Sequence, residues 1–173
     1  CVMVTHDQEE AMTMASRIAI MSEGRVLQVG PPAVVYETPA NRFVADFIGN
    51  VNMMEGKLVE DWPDHVVVEC ADCSHYVGHG ITGTEGMAVA VAVRPEKIQL
   101  QRDEPAGPHN RVQGTVKDLA YFGSFTVYRL QLASGAVLKV SAANASRHVD
   151  DQLTWGDTAW AHWTPSAQVV LTQ

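Results

Sequence analysis

The sequence predicts a mainly β chain in which a short α/β segment, residues 1–49, precedes a β domain, residues 50–173. Two observations lead to this fold class. Before Gly49 the apolar residues follow helix and hairpin spacings, whereas after Asn52 short apolar or alternating runs are separated by glycine and proline turns at regular intervals. Short, evenly spaced strands of this kind favour a small barrel or sandwich.

Length, composition and charge indicate how many domains the chain holds and which kinds of partner are expected. The 173 residues suit one domain or two small ones, and 46% hydrophobic residues are ordinary for a packed core. Twelve basic against twenty acidic residues give a net charge of −8, which argues against nucleic acid or anionic lipid as a partner. No apolar run approaches the ~20 residues that span a bilayer, so membrane association is expected to come through a partner. Three cysteines, an odd number, indicate a reducing compartment.

The chain is expected to begin with a strand that runs into a helix. The apolar run at residues 2–4 is typical of a strand buried on both faces, so we predict a strand at residues 2–5. Asp7 can cap the following helix, with Glu10 as its capping-box partner. His6 then lies on the strand-to-helix corner, beside the positive end of the helix dipole, where α/β proteins bind ligands.

The rest of the first segment predicts a hairpin and two short helices. Residues 17–22 and 25–29 alternate around Glu23 and Gly24, which form a compact turn. Pro32 is tolerated in the first turn of one helix, and Asn41 can cap the other. These helices are expected at residues 32–36 and 43–49.

The second segment is almost wholly β in pattern. The sequence shows no second full internal repeat within it. Strands are predicted at residues 54–59, 65–70, 87–93, 98–101, 112–119, 125–132, 137–141, 158–162 and 169–171.

The start of the chain carries a specific resemblance. Residues 5–11, with the sequence THDQEEA, and their continuation to residue 21 resemble the switch-histidine region, closing helix and hairpin of ATP-binding-cassette (ABC) ATPases. The resemblance implies that His6 contacts the γ-phosphate of ATP and helps to hold the attacking water, and that Asp7 lies near the dimer interface. An imidazole can donate a hydrogen bond to a terminal phosphoryl oxygen as charge builds there.

The other ATPase motifs are absent from this sequence. It contains no G-x-x-x-x-G-K-[ST] phosphate loop, no leucine-serine-glycine-glycine signature and no apolar strand that ends in an Asp-Glu pair. In the family these motifs precede the histidine, and the chain begins at Cys1 in mid-domain. We therefore expect the C-terminal piece of a longer ATPase, which needs ATP and magnesium as cofactors. The piece alone is expected to hold neither and to be inactive.

A second resemblance covers the β segment. Residues 92–98 (AVRPEKI), 120–124 (AYFGS), 156–157 and 161–163 resemble the transport-associated OB domain that is appended to many importer ATPases. Residues 1–49 then represent the end of the nucleotide-binding domain with its linker helices, and residues 50–173 the OB-fold-like accessory barrel. The family builds this domain from two OB-like segments that exchange strands.

Four strings are most similar to ATPase subunits of putrescine or spermidine importers, namely residues 7–15, 94–98, 121–123 and 144–148. This resemblance implies a second ATPase subunit in a homodimer, transmembrane permease subunits and an extracytoplasmic substrate-binding protein as partners. The expected location is peripheral, on the cytoplasmic face of the inner membrane. ATPases of sugar, sulfate and iron importers share the layout and stay open as alternatives.

A cluster of soft ligands raises the question of a metal site. Cys70, Cys73, His75 and His79 offer four ligands within ten residues. Structural zinc sites usually separate their two ligand pairs by a dozen or more residues, so that each pair comes from its own element. We therefore predict no metal site here and interpret the segment as a polar hairpin with free thiols.

The aromatic side chains of the β segment allow two interpretations. Tyr121, Phe122, Phe125 and Tyr128 could stack bases as some OB-folds do, but the acidic balance favours packing in the core and at an interface. Two further classes of function stay open: a stand-alone OB module that binds a small ligand or a metal, and a nucleic-acid-binding OB protein, which the net charge disfavours.

Overall fold

The computed structural model describes residues 1–145 and 152–172 of the chain. It divides into two compact units, Cys1–Asn50 and Val51–Thr172. Strands dominate the second unit, which confirms the prediction of a mainly β chain. Ser146, Arg147 and His148, part of one string used in the sequence comparison, lie outside the described residues.

The first unit consists of three short helices and one hairpin. A small apolar cluster forms its core, with Ile18, Val35 and Val44 among its buried members. The elements are α1 (Gln8–Met14), β1 (Ile18–Ser22), β2 (Arg25–Gly30), α2 (Pro32–Glu37) and α3 (Arg42–Phe47).

Local signals placed these elements correctly. The hairpin turns at Glu23 and Gly24, whose φ angles are 50° and 74°, as the sequence predicts for a tight two-residue turn. The Asp7 side chain accepts a hydrogen bond from the Glu10 N–H at 3.1 Å. Asn41 caps α3 by accepting from the Val44 N–H at 2.9 Å.

The predicted strand at residues 2–5 is wrong for this structure. Val2 and Val4 are 93% and 96% exposed, and no strand forms there. A strand is stabilised by hydrogen bonds to a neighbouring strand, and none of the described residues pairs with this segment. The Asp7 N–H instead donates locally to Thr5 Oγ1 at 3.0 Å.

All the strands predicted after Asn52 are present, with shifts at their ends. The structure adds one strand to the predicted set, β5, which pairs with β4 in the segment predicted as a polar hairpin. The strands are β3 (Asn52–Asp61), β4 (Val66–Cys70), β5 (Ser74–Val77), β6 (Ala88–Val93), β7 (Gln99–Gln101), β8 (Arg111–Tyr121), β9 (Phe125–Gln131), β10 (Val137–Ala143), β11 (Thr158–His162) and β12 (Gln168–Leu171).

The strands form two five-stranded sheets with equivalent orders. The first sheet has the order β12-β6-β3-β4-β5, and the second has the order β7-β11-β8-β9-β10. After β6 the chain passes through a 3-10 helix, Pro95–Lys97, and enters the second sheet as β7. After β11 it passes through another 3-10 helix, Pro165–Ala167, and returns to the first sheet as β12. The strand exchange implied by the family resemblance is thus present, and the structure contains the internal repeat that the sequence analysis did not find.

Two buried asparagines join the sheets reciprocally. Asn52 in β3 donates from Nδ2 to the Lys139 carbonyl and accepts at Oδ1 from the Lys139 N–H, both at 2.8 Å. Asn110, directly before β8, makes the same pair with the carbonyl and N–H of Tyr76, again at 2.8 Å. Each asparagine therefore satisfies backbone groups on the outward side of the other sheet's edge strand.

A single apolar cluster fills the β unit. It draws on both sheets, and Leu58, Leu130 and Leu138 are among its largest fully buried side chains. Within residues 1–145 and 152–172, no helix is both long and apolar enough to cross a membrane.

Candidate functional site

The first candidate site is the corner that carries His6. His6 and Asp7 are both exposed, and they lie directly before α1. Hydrogen bonds on both sides fix the corner, from the Asp7 N–H to Thr5 Oγ1 and from the Glu10 N–H to Asp7 Oδ1. The side chain of Asp7 is therefore engaged as the helix cap, and the imidazole of His6 is open to solvent.

The second candidate site is the soft-ligand cluster at the β4–β5 hairpin. The structure brings together two of its members, because the Cys73 thiol donates to His75 Nε2 at 3.3 Å. Cys70 Sγ instead points to the Met54 carbonyl at 3.7 Å. Among the described residues, no group of three or more histidine, cysteine, aspartate or glutamate side chains is disposed to hold a metal ion.

His79, the fourth predicted ligand, lies apart from this pair. Its Nδ1 lies 3.0 Å from the Gly80 carbonyl, and its Nε2 is buried with no hydrogen-bond partner among the described residues.

A network of buried side chains fixes the protonation of His75. Trp163 Nε1 is a donor only, and it donates to Gln168 Oε1 at 2.8 Å. His75 Nδ1 lies 2.9 Å from the same Oε1, so Nδ1 must carry the proton. Burial lowers the pKa of His75, while the bond to Gln168 and the charge of Glu69 oppose that shift. The ring is therefore neutral, and the lone pair of Nε2 faces the Cys73 thiol.

The two thiols are held in their protonated form. Burial raises the pKa of Cys70 to about 11, and the charges of Glu69, Glu55 and Asp72 add to this shift. Burial also raises the pKa of Cys73 to about 12, with further contributions from Cys70 and the same acidic neighbourhood. The surroundings of the hairpin are thus negatively charged and partly dehydrated.

Two residues that organise this cluster are not among those predicted from the sequence. Gln168 Nε2 donates to the Tyr76 carbonyl at 2.6 Å and to Asn110 Oδ1 at 2.8 Å, which fixes the orientation of its amide. Gln168 is separated from His75 by 93 residues, so no local pattern could connect them. Asn110 is recoverable from the sequence, because Asn110 and Gly114 repeat the N-x-x-x-G spacing of Asn52 and Gly56.

The aromatic set divides between the core and the surface. Tyr128 is buried in the core cluster, whereas Tyr121 and Phe122 are 65% and 60% exposed at the tip of the β8–β9 hairpin. Of the predicted packing in the core and at an interface, the core part thus holds for Tyr128, and the interface part stays a prediction for Tyr121 and Phe122. Phe122 stacks on Phe125 with ring centroids 4.9 Å apart.

Asn144 holds the hairpin tip in place. Its Nδ2 donates to the Gly123 carbonyl at 2.9 Å, and its Oδ1 accepts from Thr126 Oγ1 at 2.9 Å. The exposed rings are thus presented on a fixed loop, which is a geometry suited to contact with another protein.

A comparison with protein-family models finds a match within the β unit. Residues 91–171 match the family model described as TOBE domain. A search of solved structures finds the molybdate-bound crystal structure of the cytoplasmic molybdate-binding protein ModG, with a TM-score of 0.62 and 17% identity. The match covers 70% of this chain and 96% of ModG. At that identity the likeness concerns the fold alone.

Sequence relatives cover almost the whole chain. The putrescine transport ATP-binding protein PotG of Escherichia coli (strain K12) is 44% identical over 174 residues, which are 99% of this chain and 46% of PotG. The spermidine/putrescine import ATP-binding protein PotA of Thermobifida fusca (strain YX) is 38% identical over 170 residues, which are 98% of this chain and 44% of PotA. The chain thus spans somewhat less than half the length of these relatives.

Proposed function

We propose that this chain, which carries a TOBE domain, is the C-terminal part of the ATP-hydrolysing subunit of an ABC importer for polyamines. The premise is its homology to the C-terminal part of importer ATP-binding proteins. The observation that carries the proposal is the 44% identity to PotG over 99% of the chain. In this proposal residues 1–49 end the nucleotide-binding domain, and residues 50–173 form the accessory domain.

His6 is the residue of this chain that we assign to catalysis. In the complete subunit, ATP and magnesium are held mainly by residues outside this chain, since the phosphate loop and the magnesium-binding strand are absent from its sequence. The exposed imidazole of His6 is free to reach the γ-phosphate and the attacking water, where a hydrogen bond stabilises the charge that develops in the transition state. Asp7 shapes this corner as the cap of α1 and lies beside the interface with the second subunit.

The proposed partners are a second ATPase subunit, the permease subunits and an extracytoplasmic binding protein. The location that follows is the cytoplasmic face of the inner membrane. The exposed hairpin tip supplies surface for the second subunit: Leu119, Tyr121, Phe122 and Phe125 together expose roughly 400 Å². A standard interface takes about 800 Å² from each partner, so the hairpin tip supplies about half and other residues of the subunit supply the rest.

The catalytic assignment is tested in the full-length protein that contains this chain. His6→Ala should lower ATP turnover about a hundredfold or more, because His6 acts on charge that exists only in the transition state. ATP binding should stay largely intact. His162→Ala, which changes a half-buried histidine in β11 of the accessory domain, is the matched control and should keep normal turnover.

Near-normal turnover in the His6→Ala protein would sink the assignment. This chain by itself should show no ATPase activity above buffer. The substrate is tested separately, by uptake of labelled putrescine and spermidine into cells that contain or lack the importer. Uptake of a sugar, sulfate or iron instead would keep the ATPase assignment and overturn the polyamine assignment.

A further inference from the structure

The internal repeat of the β unit identifies the counterparts of the cysteine and histidine residues. A Cβ added to Gly56 would meet Cys70 Sγ at 2.6 Å, Glu69 O at 2.6 Å and Val68 Cγ1 at 2.7 Å. A Cβ added to Gly114 would meet the corresponding side chain and backbone atoms of β9 and its end. Those atoms are Leu130 Cβ at 3.0 Å, Gln131 O at 3.1 Å and Leu132 Cδ2 at 3.1 Å.

These matches make Leu132, at the end of β9, the counterpart of Cys70, at the end of β4. We call β3–β5 with β12 the first half of the repeat, and β8–β10 with β7 the second half. The turn bonds agree, since the Cys70 N–H donates to the Cys73 carbonyl at 3.1 Å and the Leu132 N–H donates to the Ala136 carbonyl at 2.9 Å. Ala136 is therefore the counterpart of Cys73.

The asparagine pairs extend the correspondence to the next residues. Asn110 binds Tyr76 as Asn52 binds Lys139, so the preceding residues, His75 and Leu138, are equivalent. Likewise Ile98 and Gln168 each follow a 3-10 helix that begins with proline. One half thus has cysteine, cysteine, histidine and glutamine where the other has leucine, alanine, leucine and isoleucine. The scaffold does not need the polar set.

The two cysteines are placed for a covalent link. They flank a two-residue turn, and the Cys70 N–H donates to the Cys73 carbonyl, directly beyond the paired residues Glu69 and Ser74. The two cysteines are therefore cross-strand neighbours with side chains on the same face of the hairpin. Hydrogen-bonded neighbours of this kind have Cα atoms about 5.5 Å apart, which lies within the range that a disulfide spans. Both cysteines are half-buried free thiols.

We propose that Cys70 and Cys73 are a reversible thiol modification site that a low-molecular-weight disulfide oxidises, with His75 as the proton acceptor. Because burial and the acidic neighbourhood hold the Cys73 thiol protonated, no free thiolate accumulates. His75 Nε2, 3.3 Å away, accepts the thiol proton as Cys73 Sγ attacks one sulfur of the small disulfide. The leaving thiolate receives that proton, and a mixed disulfide remains on Cys73.

The Cys70 sulfur then attacks Cys73 Sγ, forms the Cys70–Cys73 bond and releases the second small thiol, which receives the Cys70 proton. Two protein thiols are oxidised and one small disulfide is reduced to two thiols. A small thiol in excess reverses both steps.

Oxidation changes the buried network as well as the hairpin. The Cys73 S–H that donates to His75 Nε2 at 3.3 Å no longer exists, so this buried nitrogen loses its donor. The closed loop is too short to stabilise the domain much through the entropy of the unfolded chain. The oxidised chain is therefore less stable than the reduced chain, and the site acts as a switch that loosens the first sheet.

The test uses this chain with Cys1→Ser, which removes the remaining thiol, in buffers of glutathione and glutathione disulfide. Mass spectrometry of the folded protein should show the loss of two hydrogen atoms, with the bond mapped to Cys70 and Cys73 by peptide analysis. Reduction should restore the mass, and the oxidised form should unfold at lower urea concentration. His75→Leu, which copies Leu138 of the other half, should slow formation of the bond about tenfold or more.

Cys70→Ser and Cys73→Ser are the controls and should stop at the mixed disulfide or the free thiol. Far-UV circular dichroism checks that each variant is folded before its rate is compared. The proposal is overturned if the folded Cys1→Ser chain forms no Cys70–Cys73 bond, or if the bond appears only in urea. An unchanged rate in folded His75→Leu removes the role of His75.

Discussion

The two sheets of the β unit share a strand order and a buried asparagine, Asn52 or Asn110, whose side chain binds the edge strand of the other sheet. We call each asparagine with its pair of hydrogen bonds a clamp. The sheets differ in the side chains that close the interior beside the edge strand, which we call the seal. Beside β5, the seal is the neutral His75, hydrogen-bonded to Gln168 and to the Cys73 thiol. At the equivalent places of the second sheet, Leu138 and Ile98 belong to the apolar core. The strand order is thus shared together with the clamps and the close packing at Gly56 and Gly114, whereas the seal is polar in one sheet and apolar in the other. Of the two seals, only the polar one contains an imidazole that can take up a proton.

The clamps should have the largest effect on stability. Asn110→Ala leaves the part-buried N–H of Tyr76 without its partner and takes one of two donors from the Tyr76 carbonyl. It also removes one of the two acceptors of Gln168 Nε2. We expect a loss of about 3 kcal/mol in the free energy of unfolding, measured by urea titration. Asn52→Ala removes one pair of bonds and should cost less, because Asn110 also has a φ of 56°, where alanine is strained. Equal or reversed losses would contradict the assigned roles.

The second largest expected effect is a difference in stability between alanine substitutions at the two equivalent glycines, Gly56 and Gly114. A Cβ at Gly56 would lie 2.6 Å from the Glu69 carbonyl oxygen, whereas the nearest backbone atom at Gly114 is the Gln131 oxygen at 3.1 Å. Gly56→Ala should therefore cost about 2 kcal/mol or more, and Gly114→Ala about 1 kcal/mol. Urea midpoints of the two variants, compared with the unchanged chain, decide the order. If Gly114→Ala proves the more damaging, the first sheet is not the tighter one.

The smallest expected effect is the contribution of His75 to the pH dependence of stability. Because burial lowers the pKa of His75 in the folded chain, the unfolded chain binds more protons as the pH falls below about 6.5. The stability contributed by the neutral ring is complete above that pH and is lost as the pH falls towards the folded pKa. His75→Leu should flatten the difference in unfolding free energy between pH 7 and pH 5. Parallel pH profiles of the two proteins would show that His75 does not titrate with unfolding.

Local chemistry in the sequence determined much of this protein. Asp7 and Asn41 as caps, the Glu23–Gly24 turn and the alternating strands depend on neighbours a few residues apart, and the structure has them where predicted. The resemblance around His6 likewise depends on a continuous string. Its catalytic role stays a prediction, since the chemistry needs residues outside this chain.

Tertiary structure alone decided which strands are neighbours. The exchange of β7 and β12 between sheets, and the pairing of Asn52 with Lys139 across 87 residues, depend on contacts that no local pattern encodes. The same holds for the burial of His75: its sequence neighbours predict a polar hairpin, and its partner Gln168 lies 93 residues away in the chain. Residues 2–5 are the converse case: their apolar pattern is that of a strand, but a strand forms only where another strand offers hydrogen-bond partners.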